Sequence, residues 1–158
     1  MYYEYKEFPS IPENLLESPD AVINKSTEGM HSAFKFNPFY QTRNAVPELT
    51  EWASQIIKQP FSIKYQIINE GIPIHKDFGR FTALNYILDT GGDNVLTNFY
   101  DNNKVLVDSV CFPPKKWHII RTDMYHNVTN HTHTRVAVTI VLDNYRWGDD
   151  WNSIFGPA

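Results

Sequence analysis

The spacing of apolar residues predicts one clear helix, over residues 47–58. Its apolar positions recur at intervals of three and four residues, and they are Leu49, Trp52, Ala53, Ile56 and Ile57. This spacing places them in one stripe along a helix. Pro47 suits the first turn of a helix, and Pro60 ends the segment. We therefore expect this helix to pack its apolar stripe across the back of a sheet.

From residue 61 onward, short apolar and aromatic runs alternate with turn residues, a pattern typical of β-strands. The predicted strands cover residues 61–69, 74–77, 81–88, 95–100, 104–112, 117–122 and 135–142, and Gly71 breaks the chain after the first of them. Short strands separated by turns predict an antiparallel sandwich or barrel.

The first part of the chain has a different character. Four prolines fall within residues 1–40, so long helices are not expected there. The sequence predicts one domain over residues 1–158. We expect an N-terminal arm with one or two short strands over residues 1–45, and a β core over residues 60–145.

Composition and charge exclude several classes of protein. The chain has 158 residues, of which 42% are hydrophobic and 15% aromatic, and this is a globular composition. Its net charge of −4 argues against broad binding to nucleic-acid backbones. A single cysteine, Cys111, excludes an internal disulfide and a metal site built from cysteines. No signal peptide and no long apolar stretch are visible, so we expect a cytoplasmic protein without a membrane partner.

Three residues suggest a metal site. His75 and Asp77 are two apart on a predicted strand and therefore point to the same side. His126 is a third candidate ligand. Two histidines and one carboxylate that hold one face of an ion form the facial triad of non-haem Fe(II) oxygenases. On its own, H-x-D is weak evidence, because the pair occurs by chance and a single histidine is usually structural.

Arg135 opens the last predicted strand, where Ala137 and Thr139 share its face. Its planar guanidinium can bind a carboxylate through two hydrogen bonds. The alternative is an ordinary surface salt bridge. A second histidine pair, His131 and His133, falls in a polar loop and is a weaker metal candidate.

In order and spacing these motifs resemble the 2-oxoglutarate/Fe(II)-dependent oxygenases, and within them the prolyl hydroxylase-like branch. The family pattern is H-x-D, then a distal histidine with valine two places on, then a basic residue nine or ten positions after that histidine. This chain has His75 and Asp77, then His126 with Val128, then Arg135. The resemblance covers residues 65–142. Within it, residues 80–88 followed by Gly91-Gly92 look like the second core strand and its turn, and residues 117–126 look like the strand that carries the distal histidine.

The resemblance implies a mainly β fold, a double-stranded β-helix of jelly-roll or cupin-like form, with one or two supporting helices. It also implies that His75, Asp77 and His126 bind Fe(II), and that Arg135 pairs with the far carboxylate of 2-oxoglutarate. Tyr65 and Asn85 would lie near this co-substrate; the alternative is a packed aromatic ring for Tyr65 and a hydrogen bond within the sheet for Asn85. The implied reaction consumes O2, releases succinate and CO2, and hydroxylates a substrate.

Two departures from the family pattern concern the co-substrate contacts. The family has an inward tyrosine where this chain has Ile87, and a threonine where it has Ala83. Strand parity predicts that Arg80 points away from the ligands unless a bulge intervenes, whereas Arg121 is close enough in sequence to line the mouth of the site.

Neither the substrate nor the oligomeric state can be read from the sequence. A peptidyl side chain, a free amino acid and a small metabolite are all open as substrates. Two other functions also remain open. One is a cupin-like metal protein that does not use 2-oxoglutarate, and the other is a non-catalytic β-sandwich binding module.

Overall fold

The computed structural model describes residues 1–25, 40–69 and 72–157. Within this part of the chain, nine strands form two sheets in which all pairs are antiparallel. The larger sheet has the order β1 (Tyr3–Tyr5), β7 (His118–Arg121), β4 (Thr82–Asp89), β9 (Arg135–Leu142), β3 (Phe61–Ile68) and β2 (Tyr40–Asn44). The smaller sheet has the order β6 (Leu106–Val110), β5 (Leu96–Tyr100) and β8 (Tyr125–Thr129).

Residues 72–75 extend the smaller sheet beyond β8. The Ile72 amide donates to the Val128 carbonyl at 3.1 Å. His75 and His126 exchange both of their backbone hydrogen bonds, at 3.1 and 2.9 Å. The predicted strand over residues 74–77 is therefore reduced to one bridge, but this bridge ties the H-x-D segment to β8.

Two helices accompany the sheets, α1 (Pro19–Lys25) and α2 (Pro47–Ile56). Short 3-10 helices cover Glu13–Leu15 and Trp151–Phe155. The predicted helix is confirmed: α2 begins at Pro47 and buries Leu49 and Ala53. Helix α1 was not predicted, because the prolines indicated irregular chain. Pro19 instead occupies the first position of α1, where its missing N–H costs nothing.

Alternation along β9 separates the main core from the space between the sheets. Val136, Val138, Ile140 and Leu142 are buried in the main core, together with Leu49 and Ala53 of α2. The intervening residues Arg135, Thr139 and Val141 face the other side. Because strand side chains alternate, one strand supplies both the core and the wall of a cavity.

The predicted mainly β architecture with two supporting helices is confirmed. One strand prediction is wrong: residues 117–126 do not form a single strand that carries His126. Strand β7 ends at Arg121 in the larger sheet, and β8 begins at Tyr125 in the smaller one. The arm contributes β1 and β2 to opposite edges of the larger sheet. The predicted break at Gly71 and residues 26–39 of the arm lie outside the described residues.

Across the described residues, the helices are too short or too polar to span a lipid bilayer.

The two faces of β9 should differ in their contribution to stability. Val138→Ala removes buried methyl groups from a fully buried site and should lower the free energy of unfolding by about 2 kcal/mol. Val141→Ala makes the same chemical change on the cavity side of the same strand and should cost under about 1 kcal/mol. Urea unfolding of both variants measures the difference, and equal losses would contradict the assignment of faces.

Candidate metal centre

A cavity of about 780 Å³ lies between the two sheets. Its walls include inner-face residues of β3, β4, β7 and β9 from the larger sheet, and residues of β5 and β8 from the smaller one. The volume falls within the range of roughly 300–1,000 Å³ that is usual for ligand pockets. The candidate metal ligands and Arg135 all line this cavity.

His75, Asp77 and His126 converge on one point. Asp77 Oδ1 lies 3.2 Å from His75 Nε2 and 3.4 Å from His126 Nε2. One ligand atom from each residue lies within 4.8 Å of the other two. Among the described residues this is the one group of three or more histidine, cysteine or acidic side chains with such spacing. Two imidazole nitrogens and one carboxylate oxygen suit a divalent transition metal.

Both imidazole rings are oriented by backbone carbonyls. His75 Nδ1 lies 2.7 Å from the Pro73 carbonyl oxygen, and His126 Nδ1 lies 2.7 Å from that of Met124. Because a carbonyl only accepts, each Nδ1 carries the proton in the neutral ring. The lone pair of each Nε2 is then directed at the shared point. This arrangement of donors fits a bound metal ion.

Asp77 is held in its charged form. Burial alone would raise its pKa, but His126 and His75 in their protonated forms, together with the charge of Arg80, lower the pKa well below its usual range. Arg80 Nε donates to Oδ2 of Asp77, so Oδ1 remains directed at the histidines. The prediction that Arg80 points away is wrong. Strand parity does not apply between residues 76 and 81, where Gly79 adopts a φ of +78° and the chain turns back.

Arg135 is a buried cation without a carboxylate partner among the described residues. It is 4% exposed, its Nε donates to the Thr90 carbonyl at 2.9 Å, and its Nη1 donates to Thr97 Oγ1 at 3.4 Å. Its Nη2 is buried with no hydrogen-bond partner. Burial lowers the pKa of Arg135 to about 10. A buried charge is costly unless it is paired, so this site favours an anionic ligand.

A row of polar side chains crosses the larger sheet inside the cavity. Asn85 of β4 is the register partner of Thr139 on β9 and of His118 on β7. Asn85 Oδ1, Thr139 Oγ1 and His118 Nδ1 are all buried without a hydrogen-bond partner. Asn85 faces the cavity as expected, and its contact with the co-substrate stays a prediction. The unpartnered atoms suit a polar ligand.

His118 and Thr139 were not singled out from the sequence. Burial, and secondarily the charge of Arg135, lowers the pKa of His118 to about 3. Its ring therefore remains neutral, stacked on Phe112 with 3.5 Å between centroids. Thr139 could have been found, because strand parity already placed it on the face of Arg135. His118 gave no such signal, since its neighbours depend on strand pairing.

Tyr65 does not lie at the site, which corrects the expectation from the resemblance. On β3 the cavity-facing residues include Ser62, Lys64 and Gln66, so Tyr65 points into the main core. Its hydroxyl accepts a hydrogen bond from the Glu17 amide at 3.0 Å. Counting ten residues back from His75 gave the wrong face, because the chain between β3 and His75 is not a regular strand.

Arg121 and His133 have partners elsewhere, whereas both ring nitrogens of His131 are buried without a hydrogen-bond partner. Arg121 donates two hydrogen bonds to Asp123, at 3.1 and 3.0 Å, and does not line the cavity. His133 Nε2 lies 2.7 Å from Asp89 Oδ1, so the second histidine pair is not a metal cluster in the described chain.

No protein-family model and no curated protein matches this sequence. Solved structures do share its fold. A prolyl-4-hydroxylase from Pseudomonas putida superposes with a TM-score of 0.57 and 13% identity, and the match covers 92% of this chain and 93% of that one. A prolyl hydroxylase from Trichoplax adhaerens was solved with a fragment of the hypoxia inducible factor oxygen degradation domain. It superposes with a TM-score of 0.53 and 13% identity, and the match covers 78% of this chain and 74% of that one.

A third structure is an oxidoreductase of the 2OG-Fe(II) oxygenase family from Burkholderia pseudomallei. It gives a TM-score of 0.52 and 8% identity, and the match covers 77% of this chain and 74% of that one. At these identities the likeness concerns the fold, and it confirms the predicted double-stranded β-helix.

The triad should bind one divalent ion per chain. With Co(II) as the probe, His126→Ala should weaken binding by more than about 100-fold, because loss of a direct ligand exceeds the 10–100-fold effect typical of outer contacts. His133→Ala changes a histidine outside the triad and should leave affinity unchanged. Equal binding by wild type and His126→Ala in a calorimetric titration would contradict the site.

Proposed function

We propose that the protein is a non-haem Fe(II) and 2-oxoglutarate-dependent dioxygenase that hydroxylates its substrate in the cavity between the sheets. One observation carries this proposal. The metal-type triad of His75, Asp77 and His126 shares its cavity with a buried guanidinium, Arg135, that has no carboxylate partner among the described residues. A metal and a dicarboxylate are the ligands that these two features fit.

The triad would hold iron through the Nε2 atoms of both histidines and Oδ1 of Asp77. With only three protein ligands, the bound ion would keep coordination positions open for co-substrate and oxygen. Arg80 acts on this site through Asp77, because it holds Oδ2 and so keeps Oδ1 directed at the metal position. The hydrogen bonds from Nδ1 to the Pro73 and Met124 carbonyls fix the rings before the metal binds.

Arg135 would bind the far carboxylate of 2-oxoglutarate through Nη2, its unpartnered nitrogen. Thr139 and Asn85 also line the cavity, and their unpartnered oxygens are available to a ligand there. Apolar side chains of the larger sheet and its neighbourhood also line the cavity; they include Ala83, Ile87, Phe112 and Ile120.

When bound, iron supplies the oxidative chemistry: O2 is consumed, 2-oxoglutarate is converted to succinate and CO2, and the substrate gains a hydroxyl group. The chain's contribution is to position both ligands and to keep the site dry. The fold shared with the solved oxygenases supports this proposal. A cupin-like protein that binds no anion would leave the buried charge of Arg135 uncompensated.

Anaerobic addition of Fe(II) and 2-oxoglutarate should produce a visible charge-transfer band, because the keto acid chelates the metal. His75→Ala should abolish the band. If folded wild-type protein shows no such band, the proposed function is refuted.

The same band can distinguish the contributions of Arg135 and Tyr65 to 2-oxoglutarate binding. Arg135→Gln should weaken 2-oxoglutarate binding by about 10–100-fold, the cost of losing a charge-assisted hydrogen bond. Tyr65→Phe should leave the affinity unchanged, because the tyrosine hydroxyl bonds to the Glu17 amide outside the cavity. A titration of band intensity against 2-oxoglutarate gives the dissociation constant of each variant. A large effect of Tyr65→Phe would show that the tyrosine does contact the co-substrate.

A further inference from the structure

Lys64 is a positively charged residue in the cavity, and the proposed reaction does not account for it. It lies in the middle of β3 on the inner face and lines the cavity, where it is half-buried. The described residues provide no hydrogen-bond or ion-pair partner for its ammonium group. Its register partners are Asn44 on β2 and Thr139 on β9, so it continues the row of polar side chains that crosses the sheet.

The other cavity cations already have partners. Arg80 is paired with Asp77. Lys76 places its ammonium 4.5 Å from the ring centroid of Tyr125. Arg135 is assigned to the far carboxylate of 2-oxoglutarate. Lys64 is therefore a surplus positive charge.

Lys64 and Arg135 sit at different depths. Lys64 is level with Thr139, four residues along β9 from Arg135. At about 3.4 Å per residue, the two backbone positions are roughly 13 Å apart along the strand. Arg135 is 4% exposed, whereas Ser62, the next residue on the face of Lys64, is exposed. Lys64 is thus nearer to the end of β3 that reaches solvent.

Charge in the cavity favours an anionic second ligand. Asp77 is the one carboxylate among the described lining residues. Iron, Arg80 and Arg135 together carry more positive charge than Asp77 and both carboxylates of 2-oxoglutarate can neutralise, even before Lys64 is counted. The chain as a whole is negative, with a net charge of −4, so the positive potential is local to the cavity.

We propose that Lys64, with the Ser62 hydroxyl on the same face, forms a second anion subsite that binds a carboxylate of the substrate. The substrate is then a small carboxylic acid, held by its charge while another carbon faces the metal. This inference rests on the proposed function, because it assigns 2-oxoglutarate to Arg135. The cavity of about 780 Å³ falls in the range that encloses drug-sized ligands, so it leaves room beside a five-carbon diacid.

Calorimetry on the anaerobic complex with Fe(II) and 2-oxoglutarate tests the subsite. The probes are N-acetyl-L-amino acids, each paired with its own C-terminal amide, which differs only in lacking the charge. At least one acid should bind about 10-fold or more tightly than its amide, as expected for a charge-assisted hydrogen bond. Lys64→Gln should remove this preference, and Lys64→Arg should retain it.

Lys58→Gln is the matched control. Lys58 is exposed beyond the end of α2, and its ammonium donates to the Ser54 carbonyl at 3.3 Å. This change removes the same charge outside the cavity and should leave the preference for acids intact. If Lys64→Gln does not fold, Lys64→Met, which removes the charge and keeps the apolar stem, takes its place in the same comparison.

Three results would overturn the subsite: no acid in the panel binds better than its amide, the preference survives in Lys64→Gln, or Lys64→Gln weakens 2-oxoglutarate binding instead. The last would assign Lys64 to the co-substrate. These three results can be distinguished from a failure of the proposed function. In that case the charge-transfer band would already be missing from the wild-type protein.

Discussion

The candidate site depends on one pair of backbone hydrogen bonds, those exchanged by His75 and His126. This pairing joins residues 72–75 to β8 and brings the two ring centroids to 4.4 Å. Asp77 follows two residues later, and its amide donates to the Thr122 carbonyl at 3.0 Å. Because backbone pairing sets the positions and two carbonyls set the ring orientations, the three ligand atoms converge on one point.

The second determinant is charge that the fold leaves uncompensated. A protein selected for stability alone would pair or replace a buried guanidinium such as Arg135, since an isolated buried charge is costly. The same holds for the unpartnered oxygens of Asn85 and Thr139. Features that weaken the free protein are common at binding sites, where a ligand restores the missing contacts. In this chain they line the wall of one cavity.

The two faces of the larger sheet have different roles. The outer face of the larger sheet packs on α2 and forms the main core, so it supplies most of the buried apolar contact. The inner face contributes less to the core and carries polar groups instead. Four of them form one row across the sheet: Lys64, Thr139, Asn85 and His118. A strand that alternates between faces can therefore stabilise the fold and bind a ligand at once.

The sequence by itself determined what is local. Apolar spacing predicted α2, alternation predicted the two faces of β9, and the order of motifs selected His75, Asp77 and His126 as residues that belong together. The tertiary structure decided what depends on pairing and on irregular chain. It placed Tyr65 in the core, turned Arg80 toward Asp77, moved His126 into a different sheet from β7, and added His118 and Lys64 to the cavity. The physical reason is that side chains alternate between two faces only within one continuous strand. A turn or a crossing between sheets breaks this alternation, so the direction of the next side chains cannot be counted from the sequence. Strand register then brings together residues that are far apart in the chain.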